Sequence, residues 1–156
     1  MKQGTNRRPF TAWILIVLLF FLGFGGLVSG ALLFSAPDGN LMGMTVDLLK
    51  GSPFPNFLIP GLILFFFVGV FQLFAGYGLV THKTWNGLDI INPFKGYHWA
   101  WTASWAAGVI MLIWIIVETT LLGYISILQT IILIWGLIII TLTLLPSVRH
   151  HYERKA

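Results

Sequence analysis

The 156-residue chain is 57% hydrophobic and 9% charged, whereas a soluble domain usually carries about 25% charged residues to face water. Together with a mean hydropathy of +0.87, this indicates that most of the surface faces lipid. The absence of cysteine excludes disulfides, thiolate metal sites, iron–sulfur clusters and thiol nucleophiles. The formal net charge is +4, but the basic residues lie at segment ends and form no dense stripe, which argues against a nucleic-acid partner.

Four apolar runs are long enough to cross a bilayer, whose core of about 30 Å needs about 20 residues of helix. The first two occupy about 10–34 and 57–80. The block 99–145 is too long for one span, and Gly123 near its middle predicts a hairpin that divides it into spans of about 99–121 and 125–146. Backbone groups in lipid must be paired within their own segment, so all four runs are predicted to be helices. The predicted fold is all-α, a four-transmembrane-helix bundle that forms one integral membrane domain over 1–156.

The loop between the first two spans, about 36–56, carries a helical pattern of its own. It begins with Pro37, Asp38 and Gly39, which are typical of a turn. Apolar residues then recur at helical spacing over about 40–50, interrupted by Asp47 and Lys50. This pattern predicts a short amphipathic helix in the first outer loop, lying on the membrane surface or capping the bundle.

The basic residues predict the orientation. Only Lys50 lies on one side of the predicted membrane, and the other Lys and Arg residues lie on the opposite side: Lys2, Arg7, Arg8, Lys83, Lys95, Arg149, Arg154 and Lys155. The positive-inside rule then predicts a multi-pass protein of the cell membrane with both termini in the cytoplasm. A cleaved signal peptide is the alternative for the first run. Its apolar core is normally about 7–15 residues, and the run here is far longer.

Each span carries one stripe of small or polar residues. Lipid is as apolar as leucine, so membrane helices associate through close packing and hydrogen bonds at such stripes. We therefore predict that the bundle packs along Gly26, Gly30, Gly69, Gln72, Gly76, Ser104, Gly108 and Gly136.

Glu118 is the one acidic residue at membrane depth. A charge there costs at least a few kcal/mol unless it is paired or hydrated. Glu118 continues the packed face of the third span and Gln129 opens the fourth, so the two side chains should be neighbours across the hairpin. In one interpretation, Glu118 lies at the outer water boundary or forms hydrogen bonds within the hairpin. In the other, the two residues belong to an outer pocket that binds a cation, a proton or a polar ligand. The residues of that predicted pocket are Glu118, Gln129, Asp38, Asp47 and Ser29.

The four histidines all lie at the inner boundary of the predicted membrane, at His82, His98, His150 and His151. A haem held between spans would need histidines inside the helices, so we interpret these residues as solvated at the interface and predict no metal or cofactor. The chain contains none of the common catalytic or nucleotide-binding motifs, and no catalytic residue is assigned.

Several segments resemble a group of small bacterial multi-pass membrane proteins to which no activity is assigned. The resemblance extends over nearly the whole chain and is carried by Ser52-Pro53-Phe54-Pro55-Asn56-Phe57-Leu58-Ile59-Pro60-Gly61, His98-Trp99-Ala100-Trp101, Trp114-Ile115 with Glu118, Gly123-Tyr124 and Leu128-Gln129. It implies a bacterial cell-membrane location and no particular chemistry.

Three functions fit this sequence, and the first is favoured. It is a non-enzymatic membrane protein that binds a lipid or small molecule, or acts as an accessory subunit beside a membrane-protein partner or a second copy. The second is a component of an oligomeric transporter or channel, because one copy has four spans and a single intramembrane acid. The third is a membrane enzyme for a lipid-like substrate, with Glu118 as acid or base.

Overall fold

The computed structural model describes residues 7–154, which form helices and no β-strand. Lys2 and Lys155, two of the residues that predict the orientation, lie outside this range. The helices are α1 (Phe10–Ser35), α2 (Leu58–Thr81), α3 (Asn86–Ile91), α4 (Trp99–Leu122), α5 (Ile127–Leu144) and α6 (Pro146–His151). The helices α1, α2, α4 and α5 are long and apolar enough to span a membrane. The predicted all-α fold, with four helices long and apolar enough to span a membrane, is confirmed.

The four long helices form a ring. The helix α1 packs against α2 and α5, and α4 packs against the same two neighbours. Both described chain ends lie at one end of the bundle, together with α3 and α6, and we call this the terminal end. The loop 36–57 and the turn between α4 and α5 lie at the other end, which we call the hairpin end.

The helices α1 and α2 touch backbone to backbone because glycines line their contact. A Cβ atom on Gly26 would lie 2.7 Å from the Gly69 nitrogen, and one on Gly30 would lie 2.6 Å from the Phe65 nitrogen. In the other direction, a Cβ on Gly69 would lie 2.8 Å from the Leu27 nitrogen. Neither backbone can move aside without separating the helices. Within α2, residues Leu64–Val70 form a π-helical segment, and Gly69 lies in it.

The remaining predicted packing positions are distributed over the other helix contacts. Between α4 and α5, a Cβ on Gly108 would lie 2.5 Å from Ile140 Cγ1, and one on Gly136 would lie 2.9 Å from Leu112 Cδ2. At Gly76, on the α1–α2 contact, the nearest atom to an added Cβ is Phe20 Cε2 at 3.2 Å, a less crowded position.

Two polar members of the predicted stripes are completely buried. Ser104 donates its hydroxyl to the Ala100 carbonyl in its own helix, at 3.0 Å. Gln72 Nε2 donates to the Ala107 carbonyl at 3.0 Å and so joins α2 to α4. Both polar groups therefore contribute to the packed interior of the bundle.

The outer loop contains two short 3₁₀ turns, Asn40–Met42 and Val46–Leu49, in the segment where the sequence predicts one amphipathic helix. Gly43 follows the first turn with φ of 64°, a left-handed conformation that ends the helical run. The apolar side chains of Leu49 and Phe57 are buried with Leu33 of α1 and cap the hairpin end. At the turn between α4 and α5, Gly123 has φ of 77°, and the predicted hairpin is confirmed.

Candidate functional site

The side chain of Gln129 closes the hairpin between α4 and α5. Its Oε1 accepts hydrogen bonds from the main-chain nitrogens of Ile125 at 2.8 Å and Ser126 at 3.3 Å. Its Nε2 donates to the Gly123 carbonyl at 3.1 Å and to Glu118 Oε1 at 3.4 Å. An amide offers two donors and two acceptor positions, so all four are used within the hairpin. Gln129 and Ser126 together form a capping box at the start of α5.

The structure brings Glu118 and Gln129 together but leaves the other three residues of the predicted outer pocket elsewhere. Asp38 accepts hydrogen bonds from the backbone and side chain of Asn40. Asp47 forms an exposed ion pair with Lys50 at 3.0 Å. Ser29 is partly exposed on α1. Within residues 7–154, no hydrogen bond or ion pair links Asp38, Asp47 or Ser29 to the Glu118–Gln129 pair.

A groove of about 380 Å³ opens between α4 and α5 beside the hairpin. Its lining changes along its length. Toward the bundle middle the walls are apolar, and toward the hairpin they carry hydroxyls. The lining residues of this hairpin groove are Ile115, Ile116, Thr119, Thr120, Tyr124, Gln129, Thr130 and Leu133. Glu118 is not part of the lining, although it bonds to Gln129.

The hydroxyls of the hairpin groove keep hydrogen-bonding capacity for a ligand. The Tyr124 hydroxyl lies 3.0 Å from Thr130 Oγ1, so one of the two donates to the other and one proton stays free. Thr120 donates to the Ile116 carbonyl at 2.7 Å, and its oxygen can still accept. The groove lining carries no charged side chain. Its chemistry therefore suits an uncharged head that hydrogen-bonds, joined to an apolar tail.

No pattern along the sequence indicates that the threonines of this groove line a binding site. Thr and Ser in membrane helices commonly donate to a carbonyl of their own helix, as Thr120 does here, so their presence in a span does not indicate a binding site. Only the fold brings Thr130 of α5 opposite Tyr124, and the pattern along one helix cannot show this.

A second group of polar side chains lies at the terminal end, where three of the four histidines come together. The ring of His82 stacks on that of Tyr152, with centroids 4.6 Å apart and planes at 12°. The rings of His151 and His98 lie 5.2 Å and 5.7 Å from that of His82. We call His82, His98, His151 and Tyr152 the histidine cluster. Within residues 7–154, no group of His, Asp and Glu has the arrangement of a metal site.

The histidine cluster lies where the end of the described chain folds back on the bundle. The Tyr152 hydroxyl donates to the Leu79 carbonyl at 2.8 Å, and the Tyr152 carbonyl accepts from the His98 nitrogen at 2.8 Å. His98 Nδ1 accepts from the Ala100 nitrogen at 3.2 Å and caps α4. We call residues 146–154 the C-terminal clasp, because they join α2, α4 and the loop between them.

Acidification should loosen the C-terminal clasp. Burial, then the nearby His151, Arg8 and His98, lower the pKa of His82 from 6.5 to about 4. An unfolded chain therefore binds more protons than the folded one between these values, and stability is lost as pH falls through this window. Burial lowers the pKa of His98 and His151 in the same direction. Because solvent still screens part of the His82 ring, the expected loss from His82 is on the order of 1–2 kcal/mol.

Unfolding in mixed micelles, followed by tryptophan fluorescence at pH 7 and pH 4.5, measures this effect. The control variant His82→Phe keeps a flat ring against Tyr152 and removes the titrating group. It should lose a large part of the pH dependence. Equal pH dependence in the wild type and the variant would contradict the assignment to His82.

No family model, no curated protein and no solved structure matches this chain.

Proposed function

We propose that this integral membrane protein binds one amphipathic lipid in the hairpin groove, with an uncharged, hydrogen-bonding head beside Tyr124 and the tail along Ile115 and Leu133. The observation that carries the proposal is the change in the groove lining from hydroxyl-bearing to apolar side chains. The groove volume of about 380 Å³ falls within the range of ligand pockets, about 300–1,000 Å³.

The position of the groove along the bundle fits an amphipathic ligand. Ile115 precedes the turn at Gly123 by eight residues, or about 12 Å along a helix with a 1.5 Å rise per residue. The hydroxyls of Thr120 and Tyr124 lie close to the turn, where the polar headgroup layer of a bilayer begins. The Ile115 end then lies at the depth of acyl chains. The lipid head contacts hydroxyl groups, and the lipid tail contacts apolar side chains.

We also propose that the hairpin end faces outside and the terminal end faces the cytoplasm of a bacterial cell. The basic residues support this orientation, because among those of residues 7–154 only Lys50 lies at the hairpin end. In intact cells, a membrane-impermeant maleimide should label a Ser52→Cys variant and should label Ser147→Cys only after disruption. The opposite pattern would reverse the orientation.

Photo-crosslinking tests the lipid site directly. A diacylglycerol with a diazirine on one acyl chain supplies an uncharged hydroxyl head and a reactive tail. In nanodiscs of unlabelled phosphatidylcholine, we expect crosslinks to concentrate on the peptides that contain Ile115, Ile116 and Leu133. A Leu133→Trp variant fills the groove and should lose most of this crosslinking.

The matched control is Leu137→Trp, one turn further along α5. Leu137 is exposed like Leu133 but lies outside the groove lining. It should keep the wild-type crosslinking pattern. Crosslinks spread evenly over all lipid-facing helices, or a pattern that Leu133→Trp leaves unchanged, would contradict the proposal.

A further inference from the structure

The short helix α3 exposes two large apolar side chains beside the bundle. Ile90 is 75% exposed and Ile91 is 73% exposed, among the highest values of any large apolar residue here. Removing an isoleucine side chain from water stabilises a protein. Two adjacent exposed isoleucines on an ordered helix therefore indicate a surface that something covers.

Contacts on its other side hold α3 in place. Leu88 packs against the core, and Asp89 pairs with Arg154 of the C-terminal clasp. Lys95 Nζ donates to the carbonyls of Asp89 and Ile90, at 2.9 Å and 2.7 Å, and so caps the last turn of α3. These contacts fix which face of α3 is turned away from the bundle.

Asn92 fixes the chain just after α3. It is 4% exposed, and its Oδ1 accepts from the Phe94 nitrogen at 3.1 Å and from Thr102 Oγ1 at 2.7 Å. Its Nδ2 donates to the Tyr97 carbonyl at 2.9 Å. These hydrogen bonds join the connection after α3 to Thr102 of α4 and to the loop before it.

We infer that the surface that covers Ile90 and Ile91 is the lipid of the terminal-end leaflet, with α3 lying in the boundary between headgroups and acyl chains. The loop that contains α3 joins α2, which ends at Thr81, to α4, which begins at Trp99. The residues before and after α3 therefore lie close to the same membrane boundary. Trp85, just before α3, stacks on Trp99 with centroids 5.8 Å apart. Tryptophan rings favour this depth.

The charge at the terminal end fits an anionic leaflet. Asp89 is neutralised by Arg154, and the basic residues at this end outnumber the acidic ones: Arg7, Arg8, Lys83, Lys95, Arg149 and Arg154 against Asp89 and Glu153. Basic residues near an anionic surface strengthen binding to it. An apolar face flanked by cations is the usual pattern of an interfacial helix.

Spin labelling tests this anchor. The chain has no cysteine, so single-cysteine variants need no other change. In vesicles of phosphatidylcholine and phosphatidylglycerol, labels at Ile90→Cys and Ile91→Cys should collide several-fold more with oxygen than with a water-soluble nickel chelate, relative to labels at Lys83→Cys and Glu153→Cys. These controls lie at exposed charged positions of the same end of the bundle.

Two results would overturn the inference. Nickel accessibility at positions 90 and 91 equal to that at 83 and 153 would place α3 in water. Exclusion of both reagents, with dipolar broadening between labels on two chains, would show that a second copy covers this face. Neither result would affect the hairpin groove, which lies at the other end of the bundle.

Discussion

Replacing Gly26 with leucine should destabilise the bundle by about 3 kcal/mol, the upper end of the usual cost of overpacking. A Cβ at this position would lie 2.7 Å from the Gly69 nitrogen and 2.7 Å from the Val68 carbonyl carbon. These are backbone atoms, which cannot rotate away as the end of a flexible side chain can. We expect α1 and α2 to separate, with a lower unfolding midpoint in mixed micelles and a broadened peak in size-exclusion chromatography.

The neighbouring glycine supplies the control. A Cβ on Gly25 meets no atom within 4 Å, and this residue is exposed on α1. Gly25→Leu adds the same side chain to the same helix one residue away and should change stability by less than about 0.5 kcal/mol. Equal effects of the two substitutions would show that helix propensity or hydropathy decides the outcome and would contradict the packing of α1 on α2.

Truncating Tyr152 should have an effect of similar size at the terminal end. The side chain is 2% exposed, its ring stacks on His82, and its hydroxyl donates to the Leu79 carbonyl. Removing a buried aromatic ring typically costs about 3–5 kcal/mol, and we expect Tyr152→Ala to cost about 3 kcal/mol because the clasp lies near the surface. Hydrogen exchange should then accelerate in residues 146–154 and in the last turn of α2.

The variant Tyr152→Phe separates the hydroxyl from the ring. It keeps the stack on His82 and leaves the Leu79 carbonyl without this donor, which should cost about 1 kcal/mol. A Tyr152→Ala variant as stable as Tyr152→Phe would mean that the ring does not hold the clasp to the bundle.

Hydropathy and helical spacing could predict the number of spans, their ends and the turn at Gly123, because each depends on a local property of the chain. The same reasoning placed Glu118 beside Gln129, since a short hairpin leaves few alternatives. It could not predict the π-helical segment Leu64–Val70, because α and π helices have the same hydropathy and only packing selects between them.

The two sites were harder to predict than the fold. Predicting an outer pocket from Asp38, Asp47 and Ser29 relied on their polarity, but Asp38 and Asp47 bind residues two or three positions away. The histidine cluster joins His82 to Tyr152, which are far apart in the sequence. Such contacts depend on how the C-terminal clasp folds back, and no periodicity along the chain encodes that.

Native mass spectrometry of the protein released from mild detergent tests the lipid site most directly. The hairpin groove predicts one retained adduct per chain, with the mass of a lipid whose head is uncharged rather than zwitterionic or anionic. The adduct should be lost in Leu133→Trp, weakened in Tyr124→Phe with Thr130→Val, and kept in Leu137→Trp. A bare wild-type protein, or an adduct that Leu133→Trp retains in full, would contradict the proposal that this groove binds lipid.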